Sequence, residues 1–263
     1  MRIVGMVVAV LVGGVNVASS QVVLTSSNEP TVYGYCQQFQ TLYVQIREQT
    51  IEPDSARAVF SSIMKGLQER FRSQEATVYD SVRIDSLMRK GAYFNFPLRG
   101  YSPRSIGGTH GEGYHARGFD LFDYKVRGSH PAQDIFIYDR NQDNLDDNTK
   151  APVDVLAMTS GVVIGIETGW LPGSEYRGGN WIWMYDPALH GLFYYAHNNA
   201  VTVAPGQWVQ AGEKIGEIGR SGFNAYKARS GTHLHLMYLQ IGANGLPQPR
   251  NTYEWLLAAR LTK

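Results

Sequence analysis

The sequence predicts a mainly β protein, α+β overall, in which a curled antiparallel β-sheet follows a small helical N-terminal region. Three observations carry this expectation. Short β-prone runs separated by glycine turns fill the chain from Val153 onward. Gly (28) and Tyr (16) are plentiful, which suits a turn-rich sheet better than a helical bundle. Helical periodicity dominates only a stretch before residue 75. A chain of 263 residues is long enough for one large domain or two small ones with a proper core. Its formal net charge of +1 gives no electrostatic footprint for nucleic acid.

Residues 1–20 read as a signal peptide. Arg2 supplies the positive start, residues 3–12 an apolar stretch, and Ala18, Ser19 and Ser20 the small residues before a cleavage point at Gln21. The apolar run is too short and too interrupted by glycine for a good membrane span. The expectation is an exported protein of the periplasm or extracellular cell envelope, with no integral membrane segment after cleavage.

Residues 21–92 form the helical region. After a lead-in over 21–33, Cys36, Phe39, Tyr43 and Ile46 recur at helical spacing between Tyr35 and Thr50. Pro53 and Asp54 mark a new start, and Phe60, Ile63, Met64, Leu67 and Phe71 make a second stripe with basic residues towards its end. The stripes predict two core-packed helices joined by a short turn. The region holds no histidine and is assigned no chemistry; it braces the following domain or contacts a partner. Cys36 is the only cysteine, so no internal disulfide forms, and it packs as a small apolar residue. It lies too far beyond the signal segment to anchor a lipid.

Residues 93–263 form a second domain. A short strand over 92–98 leads in, and residues 99–129, rich in Gly, Tyr and charge, predict long irregular loops. Strands follow over 153–157, 161–166, 180–185 and 191–196. The last two are joined by a hairpin loop over 186–190, whose His190 is read as solvated. Residues 203–219 alternate short strands with Gly turns. The last strand runs from His233 to Ile241, and a short helix over 253–261 closes the chain.

Chemistry concentrates in Thr232-His233-Leu234-His235. In a strand, residues i and i+2 share a face, so this run sets two imidazoles side by side. One can bind a metal while the other moves protons. A hydrolytic zinc site needs three protein ligands and one open position. His235 or His233 supplies one. His130 and Asp134 share a face in an extended segment, and Pro131 disfavours helix at His130. His197 ends a predicted strand and can reach the same spot. No His-Glu-x-x-His helix is present, so composition leaves histidine for the base role.

Four elements stand in order: His130-x3-Asp134, Tyr195-Ala196-His197, Gly206…Val209…Gly212…Ile215-Gly216 and His233-Leu234-His235. On these the chain resembles the lysostaphin-like (LytM-type) zinc metallopeptidases, which cut peptidoglycan cross-links, over roughly residues 95–245. The resemblance implies the curled sheet of that family and one zinc per chain, held by His130, Asp134 and His235. It implies His233 and His197 as the proton-transfer and transition-state-stabilising pair. It further implies a secreted endopeptidase that hydrolyses peptidoglycan peptide with a zinc-activated water and a histidine general base. The alternative within the family is a non-catalytic module that binds the wall or activates other wall hydrolases; the intact set of five residues speaks against it. The stretch over 206–219 also resembles biotinyl and lipoyl carrier domains, but Lys214 sits within a strand-like run rather than at a hairpin tip.

Other expectations attach to neighbouring segments. A rival ligand pair is His115 and Asp120, one residue too widely spaced for the family pattern. Tyr114, Arg117 and Tyr195 are candidates to shape the substrate cleft. The loop over 222–230, with Lys227 and Arg229, corresponds to a cleft loop in the family. Asp139, Asn141, Asp143 and Asp147 hold positions 1, 3, 5 and 9 of a calcium-loop pattern, a candidate Ca2+ site that would stiffen the loop behind Asp134. Asn144 replaces the usual glycine at position 6, and Lys150 the usual glutamate at position 12.

Overall fold

A computed structural model describes residues 30–74, residue 86 and residues 92–263. The segment expected to be a signal peptide and most of the lead-in lie outside the described residues. Helix α1 (Val32–Glu48) begins where the Thr31 side chain accepts from the Gly34 N–H, and ends at Gln49 in the left-handed region. Helix α2 (Pro53–Gln74) starts on a proline, which is pre-organised for the first helical position, with Asp54 in its first turn.

Among the described residues nine strands follow: β1 (Ala132–Phe136), β2 (Asp154–Leu156), β3 (Gly161–Glu167), β4 (Asn180–Asp186), β5 (Gly191–Val201), β6 (Trp208–Val209), β7 (Lys214–Ile218), β8 (His233–Ile241) and β9 (Pro247–Arg250). Helix α3 (Tyr253–Ala258) packs after them. The sheet is antiparallel throughout, with a main path β1-β8-β5-β4-β3-β6; β7 pairs with β2 and β5, and β9 with β8. This is the mostly antiparallel, open sheet with an N-terminal helical region that the sequence predicts. Residues 92–98 contribute only isolated bridges at Asn95 and Leu98 rather than a strand.

Both faces of the sheet are covered, which is why β4 is buried at every position. One core gathers Phe94, Phe96, Val155, Ile182, Met184, Phe193, Tyr195, Leu234 and Leu236. The other gathers the apolar stripes of α1 and α2 against Trp181, Trp183, Tyr194, Met237 and Leu239. Phe39 and Tyr43 pack edge-on against Trp183, with ring centroids 6.0 and 5.6 Å away. Gln40 uses its side-chain amide as an extra strand residue. It donates to the Ile166 carbonyl (2.9 Å) and accepts from the Ile166 N–H (2.8 Å), closing backbone groups that β6 is too short to reach. The helical hairpin is thereby bound to the same sheet face that carries the histidines. Among the described residues, no helix is long and apolar enough to cross a membrane.

The β4–β5 turn holds a buried carboxylate. Asp186 is fully buried, accepts from the N–H groups of Ala188 (2.9 Å) and Leu189 (3.0 Å), and takes the Tyr93 hydroxyl at 3.0 Å. Burial outweighs these bonds and pushes its pKa up to about 6. A carboxyl group with a folded pKa above its unfolded value binds more protons when folded, so stability falls as pH rises from about 4 to about 6. The Asp186→Asn variant is expected to lose this slope, worth on the order of 3 kcal/mol. Urea midpoints of both proteins between pH 4 and 7 check it. His190, on the same turn, is half-buried rather than solvated: its Nδ1 meets the Tyr185 hydroxyl at 2.8 Å. Burial pushes its pKa down to about 4, giving the opposite slope in both proteins, so the difference between them isolates Asp186.

Candidate metal centre

Strand register builds the centre. Asp134 of β1 is the cross-strand partner of His235 of β8, and Ala196 of β5 flanks His235 on the other side. The small Ala196 leaves open space where a larger side chain would lie over the imidazole. His130 precedes β1 and is fixed by a backbone bridge to His115, with N–H···O bonds of 2.7 and 2.6 Å. Asp134 Oδ1 lies 3.2 Å from His130 Nε2 and 3.1 Å from His235 Nδ1, and one ligand atom from each of the three residues falls within 4.8 Å of the others. Among the described residues, no other histidine, cysteine or acidic group forms such a cluster.

Two nitrogens and one carboxylate oxygen converging with room alongside are the donor set of a hydrolytic zinc site. His130 also has an outer partner: its Nδ1 donates to the Gly113 carbonyl at 2.7 Å, so a ring that gives up its Nε2 proton presents that lone pair to a metal beside Asp134. Burial opposes charge on Asp134, but hydrogen bonds from His130 and His235 and the nearby His233 hold its pKa far below the usual carboxylate range. Burial lowers the His235 pKa, favouring the neutral ring that a metal ligand must be. The residues fit zinc.

Two further imidazoles adjoin the cluster. His233 donates Nδ1–H to the Gly231 carbonyl (2.7 Å), and its Nε2 lies 3.8 Å from Asp134 Oδ2. His197 donates Nδ1–H to the Ser221 carbonyl (2.8 Å). Their ring centroids are 4.8 Å apart. His197 reaches this face because of a β-bulge. Asn180 pairs with Asn198 and Trp181 with Ala196, so His197 has no partner, and its φ of 70° turns the side chain out of alternation. Burial drives the His197 pKa well below the ordinary histidine value, keeping the ring neutral.

The cluster opens into a cleft of about 480 Å3. Its walls include Tyr43, Ile46 and Arg47 of α1, the segment over 119–131, Arg177, Tyr194 and Asn224. Tyr194, not Tyr195, faces the cleft. Tyr195 lies on the opposite sheet face, fully buried, with its hydroxyl accepting from the Met158 N–H at 2.9 Å. Tyr114 and Arg117 are not part of the cleft wall; Phe119, Asp120, Tyr124 and Arg127 occupy the place expected for them. His115 is exposed and Asp120 is held by Arg57 of α2, so the rival pair does not assemble. Of the 222–230 loop, Asn224, Ala225 and Ser230 reach the cleft, while Lys227 stacks on Phe223.

The candidate calcium loop is organised by backbone bonds instead. Asp139 accepts from the N–H groups of Asp143 (3.0 Å) and Asn144 (2.9 Å), Asp143 from that of Leu145 (2.9 Å), and Asp147 from that of Arg140 (2.9 Å). Asn141 donates its amide to Asp143 at 2.8 Å. These carboxylates point at separate amides and form no cluster of ligand atoms, so Ca2+ is not supported there. The sequence reading also missed the carbonyls of Gly113, Ser221 and Gly231, which no side-chain motif announces.

Residues 142–247 match the profile of Peptidase family M23. Over these residues the chain resembles that family. The match includes His197, His233 and His235 and begins downstream of His130 and Asp134. No curated protein matches the chain. Among solved structures, it is similar to lysostaphin from Staphylococcus simulans at 25% identity over 55% of this chain, with a TM-score of 0.35; it spans about half (48%) of that protein's length. A Ruminococcus gnavus protein assigned by name as a glycyl-glycine endopeptidase lytM is 20% identical over 89% of this chain and 98% of its own, with a TM-score of 0.44. A zinc containing peptidase from Vibrio cholerae is 18% identical over 64% of this chain and 40% of its own, with a TM-score of 0.35.

Proposed function

We propose that this M23-like domain is a zinc endopeptidase that hydrolyses peptide cross-links of bacterial peptidoglycan, in a protein exported to the cell envelope. The observation that carries the reading is the position of Asp134 between His130 and His235, with two more imidazoles on the open side. The wall substrate is supported by the family match and by the lysostaphin resemblance of the motifs. The charged N-terminus and apolar stretch of residues 1–20 support export.

His130 Nε2, Asp134 Oδ1 and His235 Nδ1 would hold the metal. When bound there, zinc would supply a water acidified to a pKa of about 7 and Lewis-acid polarisation of a carbonyl. The remaining work belongs to His233 and His197. Both have Nδ1–H fixed on a backbone carbonyl, so both present an Nε2 lone pair. A neutral ring so held takes the proton of the attacking water. Once protonated, the same Nε2–H donates to the tetrahedral oxyanion and then to the departing amine.

Gly222 is part of this machinery by what it lacks. Its φ is 114°, and a Cβ there would lie 2.4 Å from the Arg177 carbonyl oxygen and 2.8 Å from His197 Nδ1. Gly222→Ala is expected to cost about 1–3 kcal/mol of stability and to shift the His197 ring. Turnover should fall at least about tenfold while zinc is retained, because His197 is not a ligand. Thermal unfolding, metal content and cross-link cleavage, read on one preparation, check all three. Loss of activity in the triple variant lacking His130, Asp134 and His235 side chains tests the reading as a whole; cleavage that survives would refute it.

A further inference from the structure

A cavity larger than the cleft lies beyond the metal centre. It measures about 850 Å3, past the end of β1, between the segment over 99–106 and the loop over 146–154. Phe136 lines both this cavity and the cleft, and its ring centroid is 5.1 Å from that of His233. The two spaces therefore adjoin at Phe136.

We propose that this cavity is a glycan subsite, holding a segment of the sugar strand to which the cross-link peptide is attached. The inference rests on the cell-wall reading above. Its volume is in the range that encloses a drug-sized ligand, comparable to a short oligosaccharide. The carboxylates in its wall are already satisfied by the protein. Asp154 is paired with Arg99 (2.9 Å) and Lys214 (2.8 Å), and Asp146 accepts from the Tyr101 hydroxyl and the N–H groups of Asn148 and Thr149. The rest of the lining mixes the apolar side chains of Ile106, Phe136, Ile137 and Val153 with the neutral polar Ser102 and Asn148. Arg104 is exposed and pairs with no carboxylate among the described residues. The Tyr138 ring, 62% exposed, offers an apolar face. Sugar hydroxyls and acetamido carbonyls match those donors, and the C–H face of a pyranose matches the ring.

An extended peptide fits less well. Peptides bind by adding to a strand edge, and the free edge of β1 is already covered. Ile106 bridges Ile135, and the Gly107 N–H donates to the Asp134 carbonyl at 2.8 Å.

The test titrates a β-1,4-linked N-acetylglucosamine tetramer into the full chain by calorimetry, with Tyr138→Ala and Arg104→Ala alongside. Cleavage of whole wall polymer and of a sugar-free cross-link peptide is measured in parallel. Saturable tetramer binding is expected, weakened at least tenfold in Tyr138→Ala. The KM for polymer should rise in both variants with kcat unchanged, and cleavage of the free peptide should not change. Absence of saturable binding by the wild type would overturn the subsite, as would equal losses on the free peptide, which would make the cavity a peptide site. Tyr138-dependent tetramer binding by a protein that cleaves neither substrate would uphold the subsite and overturn the endopeptidase reading.

Discussion

The Asp134→Ala protein is expected to fold, to hold no zinc and to lose activity by roughly 10^3-fold or more. Asp134 is the hub of the centre. One of its oxygens touches both His130 and His235, and its other oxygen faces His233. Two histidines without it are short of the three protein ligands a hydrolytic site uses. The fold should survive because Asp134 pairs with His235 through β1–β8 backbone bonds that do not need the carboxylate. Circular dichroism, metal analysis and cross-link cleavage on one sample measure the three expectations. Zinc and activity retained together would reduce the cluster to a structural ion pair.

His233→Ala is expected to separate the two functions of the centre. Zinc should remain, since its three ligands are untouched, while kcat falls by about 10^2 to 10^4-fold, the usual contribution of a positioned general base. KM should change little, because the imidazole acts on the reacting water rather than on the bound chain. His197→Ala should behave in the same sense, and the double variant should lose less than the product of the two, because the rings lie 4.8 Å apart and act on one reaction. Single-turnover cleavage with metal content checked in each variant measures this. A His233→Ala enzyme with near-normal kcat would remove the ring from the proton path.

Much of the centre was legible because its signals are local. A strand period of two placed His233 and His235 on one face, and an extended His130-x3-Asp134 placed two more groups together. The neighbours were legible only in part. Counting along β5 gives Tyr195 the face of His197. A single left-handed residue reverses that parity, and no sequence pattern announces a bulge formed by a histidine. Strand β9 was missed because Pro247 and Pro249 argue against a strand. It is an edge strand, pairing only with β8, which is where prolines are tolerated. The α1 and α2 stripes were read as core, but amphipathicity does not say which surface a helix covers. Tyr43, Ile46 and Arg47 thus became cleft wall without any motif to mark them. The acidic loop shows the converse: carboxylates at calcium-like spacing serve equally well to bind the amides of their own turns.

The most direct measurement is the zinc content of the protein by elemental analysis, wild type against His235→Ala, after both are exposed to zinc and freed of excess. One zinc per wild-type chain and none in the variant is the predicted result. A folded wild-type protein that takes up no zinc, or a His235→Ala protein that holds as much as wild type, would contradict the metal centre and leave a non-catalytic wall-binding module as the better description.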